Sequence, residues 1–79
     1  MDVNVEMPFV GEAIERMRIV RWLRAVGDEV AAEEQLVEVT TDKIDFVIEA
    51  PASGTLVEIR AADGEVVKPY DVVAVIKPR

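Results

Sequence analysis

The sequence predicts a small all-β domain, and three observations support that fold class. Valine dominates the apolar residues while aromatics make up only 5% of the 79 residues, a composition that suits sheets packed from branched side chains. Glycine, proline and aspartate recur at the short, regular spacing expected of turns between many strands. The length is enough for only one hydrophobic core. We therefore expect a single domain over residues 1–79.

Apolar periodicity places the individual strands. Strict alternation of apolar and polar residues predicts two strands that each have one solvent-exposed face. Their apolar positions are Val3, Val5 and Met7 in the first and Ile44, Phe46 and Ile48 in the second. Three further runs have apolar residues at both odd and even positions, namely residues 19–23, 36–39 and 72–76. Because these runs are too short for helices, we interpret them as strands as well. Residues 11–18 are predicted to form an exposed loop or a single turn.

A weak internal repeat indicates that the domain consists of two similar halves. A shift of 37 positions aligns Ile19 with Leu56, Gly27 with Gly64 and Val30 with Val67. The aligned glycines fall at predicted turns. We expect two half-domains packed face to face about a pseudo-two-fold axis, with the segment around Lys43 at the pole opposite the chain ends.

Lys43 is the most informative residue for function. It lies in the short hinge Thr40–Ile44, between the apolar runs at residues 36–39 and 44–48, so it should stand at the tip of a β-hairpin. Asp42 is predicted to form the turn by bonding nearby backbone amides through its carboxylate. The other two lysines, Lys68 and Lys77, each precede a proline. Lys43 is thus the one lysine whose side-chain amine we expect a rigid hairpin to expose.

Charge and composition exclude several classes of function. The net charge of -7 should repel nucleic acid and anionic membranes. With no cysteine and no histidine, the chain lacks disulfides, thiolate chemistry, imidazole bases and the usual zinc ligands.

Asp2 and Glu6 stand where a targeting segment would carry basic residues. We expect a cytoplasmic protein, or an organelle-matrix protein if a targeting segment has been removed.

Motifs along nearly the whole chain carry a family resemblance. They are Met7-Pro8 with Gly11-Glu12, Arg21-Trp22-Leu23 with Val26-Gly27-Asp28, Leu36-Val37-Glu38-Val39, Thr41-Asp42-Lys43 and Pro51-Ala52-Ser53-Gly54. In this order and spacing the chain resembles the lipoyl domain of the dihydrolipoyl acyltransferase component of a 2-oxo acid dehydrogenase complex. The resemblance implies a flattened β-barrel of two four-stranded antiparallel sheets with pseudo-two-fold symmetry.

The resemblance also implies a carrier function without a catalytic site in this domain, which would be a non-catalytic part of a dihydrolipoamide acyltransferase. Lipoate would be attached covalently to Lys43 and would shuttle acyl groups and reducing equivalents. The implied partners are a thiamin diphosphate-dependent 2-oxo acid decarboxylase, the acyltransferase core, dihydrolipoyl dehydrogenase and the enzyme that attaches lipoate. The isolated domain is expected to be a monomer. Recognition by the attaching enzyme and the decarboxylase is expected to involve Thr41, Asp42, Ile44, Gly11, Glu12 and Ile14.

Two other functions share the predicted shape. A biotin carrier domain also presents a hairpin lysine, but its usual signature has methionine on both sides, whereas Lys43 lies between Asp42 and Ile44. An unmodified structural or adaptor domain is the third possibility. A stand-alone enzyme is disfavoured, because no nucleophile, base and pocket occur together.

Overall fold

Eight strands make up the domain, and the computed structural model describes all of residues 1–79. The strands are β1 (Val3–Glu6), β2 (Met17–Trp22), β3 (Glu29–Val30), β4 (Gln35–Thr40), β5 (Asp45–Glu49), β6 (Gly54–Ile59), β7 (Val66–Val67) and β8 (Val72–Pro78). They form two four-stranded antiparallel sheets, with strand orders β1-β8-β6-β3 and β5-β4-β2-β7. The predicted fold class is confirmed. No helix is long and apolar enough to span a bilayer.

The strand positions follow the apolar pattern of the sequence. In β1, Val5 is buried between exposed Asn4 and Glu6, as alternation predicts. The apolar runs that carry no alternation form β4 and β8, which each lie between two partner strands in the interior of their sheet. β2 begins at Met17, two residues before the predicted run, because Met17 pairs with β7 and its side chain is fully buried.

Pairing between strands repeats in the two sheets after 37 residues. Residues 18–22 of β2 pair with residues 37–40 of β4, and residues 55–59 of β6 pair with residues 74–77 of β8 in the same register. The β-bulge in β2, between Ile19 and Arg21, also recurs in β6 between Leu56 and Glu58. The internal repeat inferred from the sequence is thus a structural repeat.

Backbone contacts between the halves obey the same symmetry. The Gly27 N–H donates to the Leu56 carbonyl at 2.7 Å, and the Gly64 N–H donates to the Ile19 carbonyl at 2.7 Å. The two non-glycine residues with positive φ, Glu33 at 71° and Tyr70 at 72°, are also 37 positions apart. Their unusual backbone is therefore a requirement of the turn that each half contains.

One hydrophobic core fills the space between the two sheets, and 17 buried side chains form a single cluster there. Its symmetry-related members include Ile19 with Leu56 and Val30 with Val67. No buried polar or charged residue interrupts it. Since each sheet supplies one wall of this core, neither half can bury its apolar face without the other.

The chain ends and the β4–β5 connection lie at opposite ends of the domain. The C-terminal ends of β2 and β6 meet, since Trp22 Nε1 donates to the Ala61 carbonyl at 2.7 Å. β2 and β6 lie in different sheets, and their N-terminal ends lie toward opposite poles. Arg18 of β2 pairs with Thr40 beside the β4–β5 connection, whereas Gly54 of β6 pairs with Pro78 near the C-terminus. The domain measures 37 Å along its longest axis and 19 × 18 Å across it.

Candidate functional site

Lys43 lies at the tip of the hairpin that joins β4 to β5. Thr40 and Asp45 form the last pair of the two strands, and the Thr41 N–H donates to the Ile44 carbonyl at 2.8 Å, which leaves Asp42 and Lys43 as the two residues at the tip. The Lys43 side chain is exposed and makes neither a hydrogen bond nor an ion pair. The amine is therefore free to enter the active site of another protein.

Thr41 organises the turn. Its Oγ1 accepts the N–H of Lys43 at 3.1 Å and the N–H of Ile44 at 2.8 Å. The same hydroxyl donates to the Ile44 carbonyl at 2.8 Å. These contacts close the turn through a side chain, as serine and threonine hydroxyls do in ST-turns.

The turn-forming role predicted for Asp42 is wrong. Its carboxylate is exposed and accepts no hydrogen bond, and the Lys43 and Ile44 amides donate to Thr41 Oγ1 instead. The sequence pattern alone does not decide between Asp42 and Thr41 as the residue that closes the turn. A threonine immediately before the two tip residues can bond the same amides as an aspartate at the tip.

The loop that precedes β2 forms a single turn, closed by the Ile14 N–H on the Gly11 carbonyl at 3.1 Å. Gly11 has a φ of 146°, which favours glycine at that position. Glu12 is exposed, in agreement with the prediction. The expectation of exposure is wrong for Ile14, whose side chain is 7% exposed and belongs to the core. Ile14 anchors the loop to the domain and offers little surface to a partner.

Neighbours of Ile14 bring this loop to the lysine hairpin. Ala13, Glu15 and Arg16 line a shallow groove of about 280 Å³ together with Asp42. These three residues lie in the loop over residues 11–18 that the sequence predicts to be exposed, but they were not among the predicted recognition residues. Arg16 makes no ion pair, and Arg18 donates instead to the Gly64 carbonyl at 2.8 Å.

Exposed apolar side chains also surround the hairpin. Ile44, adjacent to the lysine, is 43% exposed. Val20, which lies in the β-bulge of β2, and Val47 of β5 line a groove of about 420 Å³ on the outer face of the sheet. The groove reaches the hairpin at Thr40 and Asp45, whose side chains bond each other. The lysine is thus presented beside an apolar surface.

A family model described as "Biotin-requiring enzyme" matches residues 3–76, which is nearly the whole chain. The chain belongs to the biotinyl and lipoyl carrier domain family. Proteins similar to this chain include the dihydrolipoyllysine-residue acetyltransferase component of the pyruvate dehydrogenase complex of Corynebacterium glutamicum, at 42% identity over 96% of the chain. The chain spans only 11% of the length of that relative.

Two solved structures contain a domain with the same fold as this chain. Urea carboxylase from Kluyveromyces lactis superimposes with a TM-score of 0.82 at 26% identity, over 98% of this chain and 6% of that one. The lipoyl domain of the 2-oxoglutarate dehydrogenase complex from Azotobacter vinelandii superimposes with a TM-score of 0.78 at 24% identity, over 95% of both chains. Fold similarity alone does not distinguish a biotinyl from a lipoyl carrier domain.

Sequence similarity makes that distinction. The relatives matched over most of the chain are lipoyl-bearing acyltransferases, which confirms the resemblance inferred from the sequence and does not favour the biotin carrier. Lipoyl domains of such components carry lipoate on a lysine. The geometry at Lys43 fits this group, because an exposed amine at a two-residue tip can be acylated without any change of fold. The domain is a carrier and is not itself catalytic.

Proposed function

We propose that Lys43 is the lipoyl attachment site of this carrier domain. The observation that supports this assignment best is the exposure of its amine at a hairpin tip closed by Thr41. Attachment joins the unprotonated Nζ to the carbonyl carbon of an activated lipoyl group, while the bond to the leaving group breaks and the nitrogen loses a proton. Since this removes one positive charge, a net charge of -7 becomes -8.

The proposed role of the domain is delivery between active sites. The attached dithiolane supplies acyl and electron transfer, and the protein supplies placement. The partners would be a thiamin diphosphate-dependent 2-oxo acid decarboxylase, the acyltransferase core and dihydrolipoyl dehydrogenase. Tethering holds the arm at an effective concentration of about millimolar at each of these sites, the range typical of short flexible linkers.

Recognition by the partners would use the surface next to the lysine. Asp42 and Ile44 are exposed beside Lys43, and Glu12 is exposed in the neighbouring loop. An active-site channel that admits the arm must contact the residues that flank its root. Ile44 therefore offers an apolar contact and Asp42 a charged one, within one residue of the attachment point.

The most specific part of the proposal is the identity of the 2-oxo acid that the parent complex uses. The Corynebacterium glutamicum relative is named for the pyruvate dehydrogenase complex. We propose pyruvate as the substrate of the parent complex, with a monomeric domain in the cytoplasm. Light scattering of the purified domain tests the oligomeric state, and imaging of the tagged full-length protein tests the location.

Reductive acylation tests the carrier role directly. Lipoylated wild-type domain and a Lys43→Arg variant, passed through the same lipoylation reaction, are incubated with labelled pyruvate, 2-oxoglutarate or a branched-chain 2-oxo acid and the cognate decarboxylase. We expect label on the wild type only, and most label with pyruvate. Labelling of the arginine variant would contradict the assignment of Lys43. Failure of the lipoylated wild type with all three decarboxylases would contradict the carrier role.

A further inference from the structure

We propose that Thr41 is a positioning residue for the modification of Lys43. This inference rests on the proposed attachment of lipoate to Lys43. The role of Thr41 would be to fix the backbone at the root of the Lys43 side chain, so that a mobile side chain extends from an immobile turn. The attaching enzyme would then meet the amine in a narrow range of positions.

The backbone of the tip explains why a side chain is needed there. Two-residue hairpin loops normally have positive φ at one or both tip residues, which matches the twist of the strands. Neither Asp42 nor Lys43 has a positive φ. The Ile44 N–H donates to Thr41 Oγ1 instead of to a backbone carbonyl, and the Lys43 N–H has the same acceptor. Without the hydroxyl, the Lys43 and Ile44 amides would both lose their partner within the protein.

The hydrogen-bonding capacity of the hydroxyl argues for positioning and against direct recognition. A threonine hydroxyl has one proton to donate and two lone pairs that accept. In the turn it donates to the Ile44 carbonyl and accepts the Lys43 and Ile44 amides. All of its capacity is used within the turn, so it has none left for the attaching enzyme. Its effect must reach that enzyme through Lys43.

The adjacent threonine provides a matched control. The Thr40 hydroxyl bonds the Asp45 carboxylate and lies 3.4 Å from the Thr41 carbonyl, and it makes no contact with the amides of the tip. Thr40→Val therefore removes a hydroxyl from the same hairpin without loosening the root of the lysine. Thr41→Val keeps the shape of the side chain and removes the contacts to the tip, whereas Thr41→Ser retains them.

The experiment measures the kinetics of lipoylation by a lipoate ligase with ATP and lipoate, and amide hydrogen exchange of the unmodified variants. We expect Thr41→Val to lower kcat about tenfold or more, since small misplacements of a reacting group are costly, with KM for the domain unchanged. Thr41→Ser and Thr40→Val should stay within about twofold of the wild type. Exchange should accelerate at the Lys43 and Ile44 amides in Thr41→Val only, while the Val39 amide in β4 stays protected.

Three kinetic results would overturn the role of Thr41 while leaving the carrier function in place. They are wild-type kcat in Thr41→Val, failure of Thr41→Ser to restore it, and a raised KM with unchanged kcat, which would indicate a recognition contact. Unchanged exchange at the Lys43 and Ile44 amides in Thr41→Val would also overturn it. If the wild-type domain itself accepts no lipoyl group, the proposed function fails and this inference falls with it.

Discussion

At the scale of single residues, Gly54 lies where two strands come too close for a side chain. A Cβ added there would overlap the backbone carbonyl of Lys77 and would lie 2.8 Å from the Pro78 Cα. The symmetry-related residue in the other half is Met17, so the restriction comes from the end of β8 and not from the fold as a whole. The glycine that follows the lysine by 11 residues therefore has a structural cause.

Substitution of Gly54 tests this contact. Gly54→Ala should lower the free energy of unfolding by about 3 kcal/mol, because the new methyl group meets backbone that cannot move aside. Gly27→Ala is the comparison, since a Cβ there meets no atom within 4 Å and the cost comes only from a φ of 99°. That cost should be about 1 kcal/mol. Urea denaturation of both variants measures the difference, and an equal loss would show that the clash is absent.

Two contacts lower the pKa of the Glu34 carboxyl. The Ala31 N–H, which donates to Glu34 Oε1 at 3.0 Å, is the main reason that the pKa of this carboxyl lies below its ordinary value, and Arg24 adds to the effect. The charged form is thus favoured in the folded state. Its contribution to stability is present above the pKa of the unfolded chain and is lost as the pH falls through the lower folded pKa.

The dependence of stability on pH tests this reading of Glu34. Glu34→Gln should flatten the fall in melting temperature between about pH 5 and about pH 3, because the variant has no proton to take up there. Arg24→Met should flatten the same fall less, since the Ala31 N–H remains in place. Thermal melts across this range measure both effects. A glutamine variant with the wild-type slope would contradict the account.

At the scale of elements, a side-chain hydrogen bond connects Trp22, the last residue of β2, with Ala61, which lies just after β6. Trp22 is half-buried, and its Nε1 donates to the carbonyl of Ala61, whose residue is 3% exposed. A buried carbonyl that loses its partner costs free energy, because water reaches it poorly. This contact therefore connects the two sheets at the middle of the molecule.

Removal of the indole N–H tests that connection. Trp22→Phe should lower the free energy of unfolding by about 1 kcal/mol for the lost hydrogen bond, with a further loss from the smaller ring. Tyr70→Phe is the control, since the Tyr70 side chain is 66% exposed and its hydroxyl makes no hydrogen bond. Chemical denaturation should leave the control at the wild-type value. A Trp22→Phe variant as stable as the control would show that the bond contributes nothing.

Strand positions were predictable from the sequence wherever burial fixed the pattern. Val3, Val5 and Met7 alternate because one face of β1 meets the core, and the repeat of 37 residues was readable because both halves bury equivalent positions. The burial of Ile14 was not predictable, since one apolar residue within a polar loop has no periodicity. The choice between Asp42 and Thr41 as the turn former also lay beyond the pattern, because either side chain can bond the same amides.

At the scale of the whole molecule, the pseudo-two-fold arrangement separates the lysine from the chain ends. The β4–β5 hairpin in one sheet corresponds to the chain ends in the other, where β8 pairs with β1. A domain tethered at one pole can therefore present its amine at the other. The fold thus places Lys43 at the pole opposite the chain ends.

The site of lipoylation tests this account most directly. The domain is produced with lipoate and its ligase, and intact mass and peptide mapping are measured for the wild type and for Lys43→Arg. We predict one lipoyl group on the wild type, located at Lys43, and none on the variant, with both proteins folded. Attachment at Lys68 or Lys77, addition of biotin in place of lipoate when both are supplied, or an unmodified wild type would contradict the account.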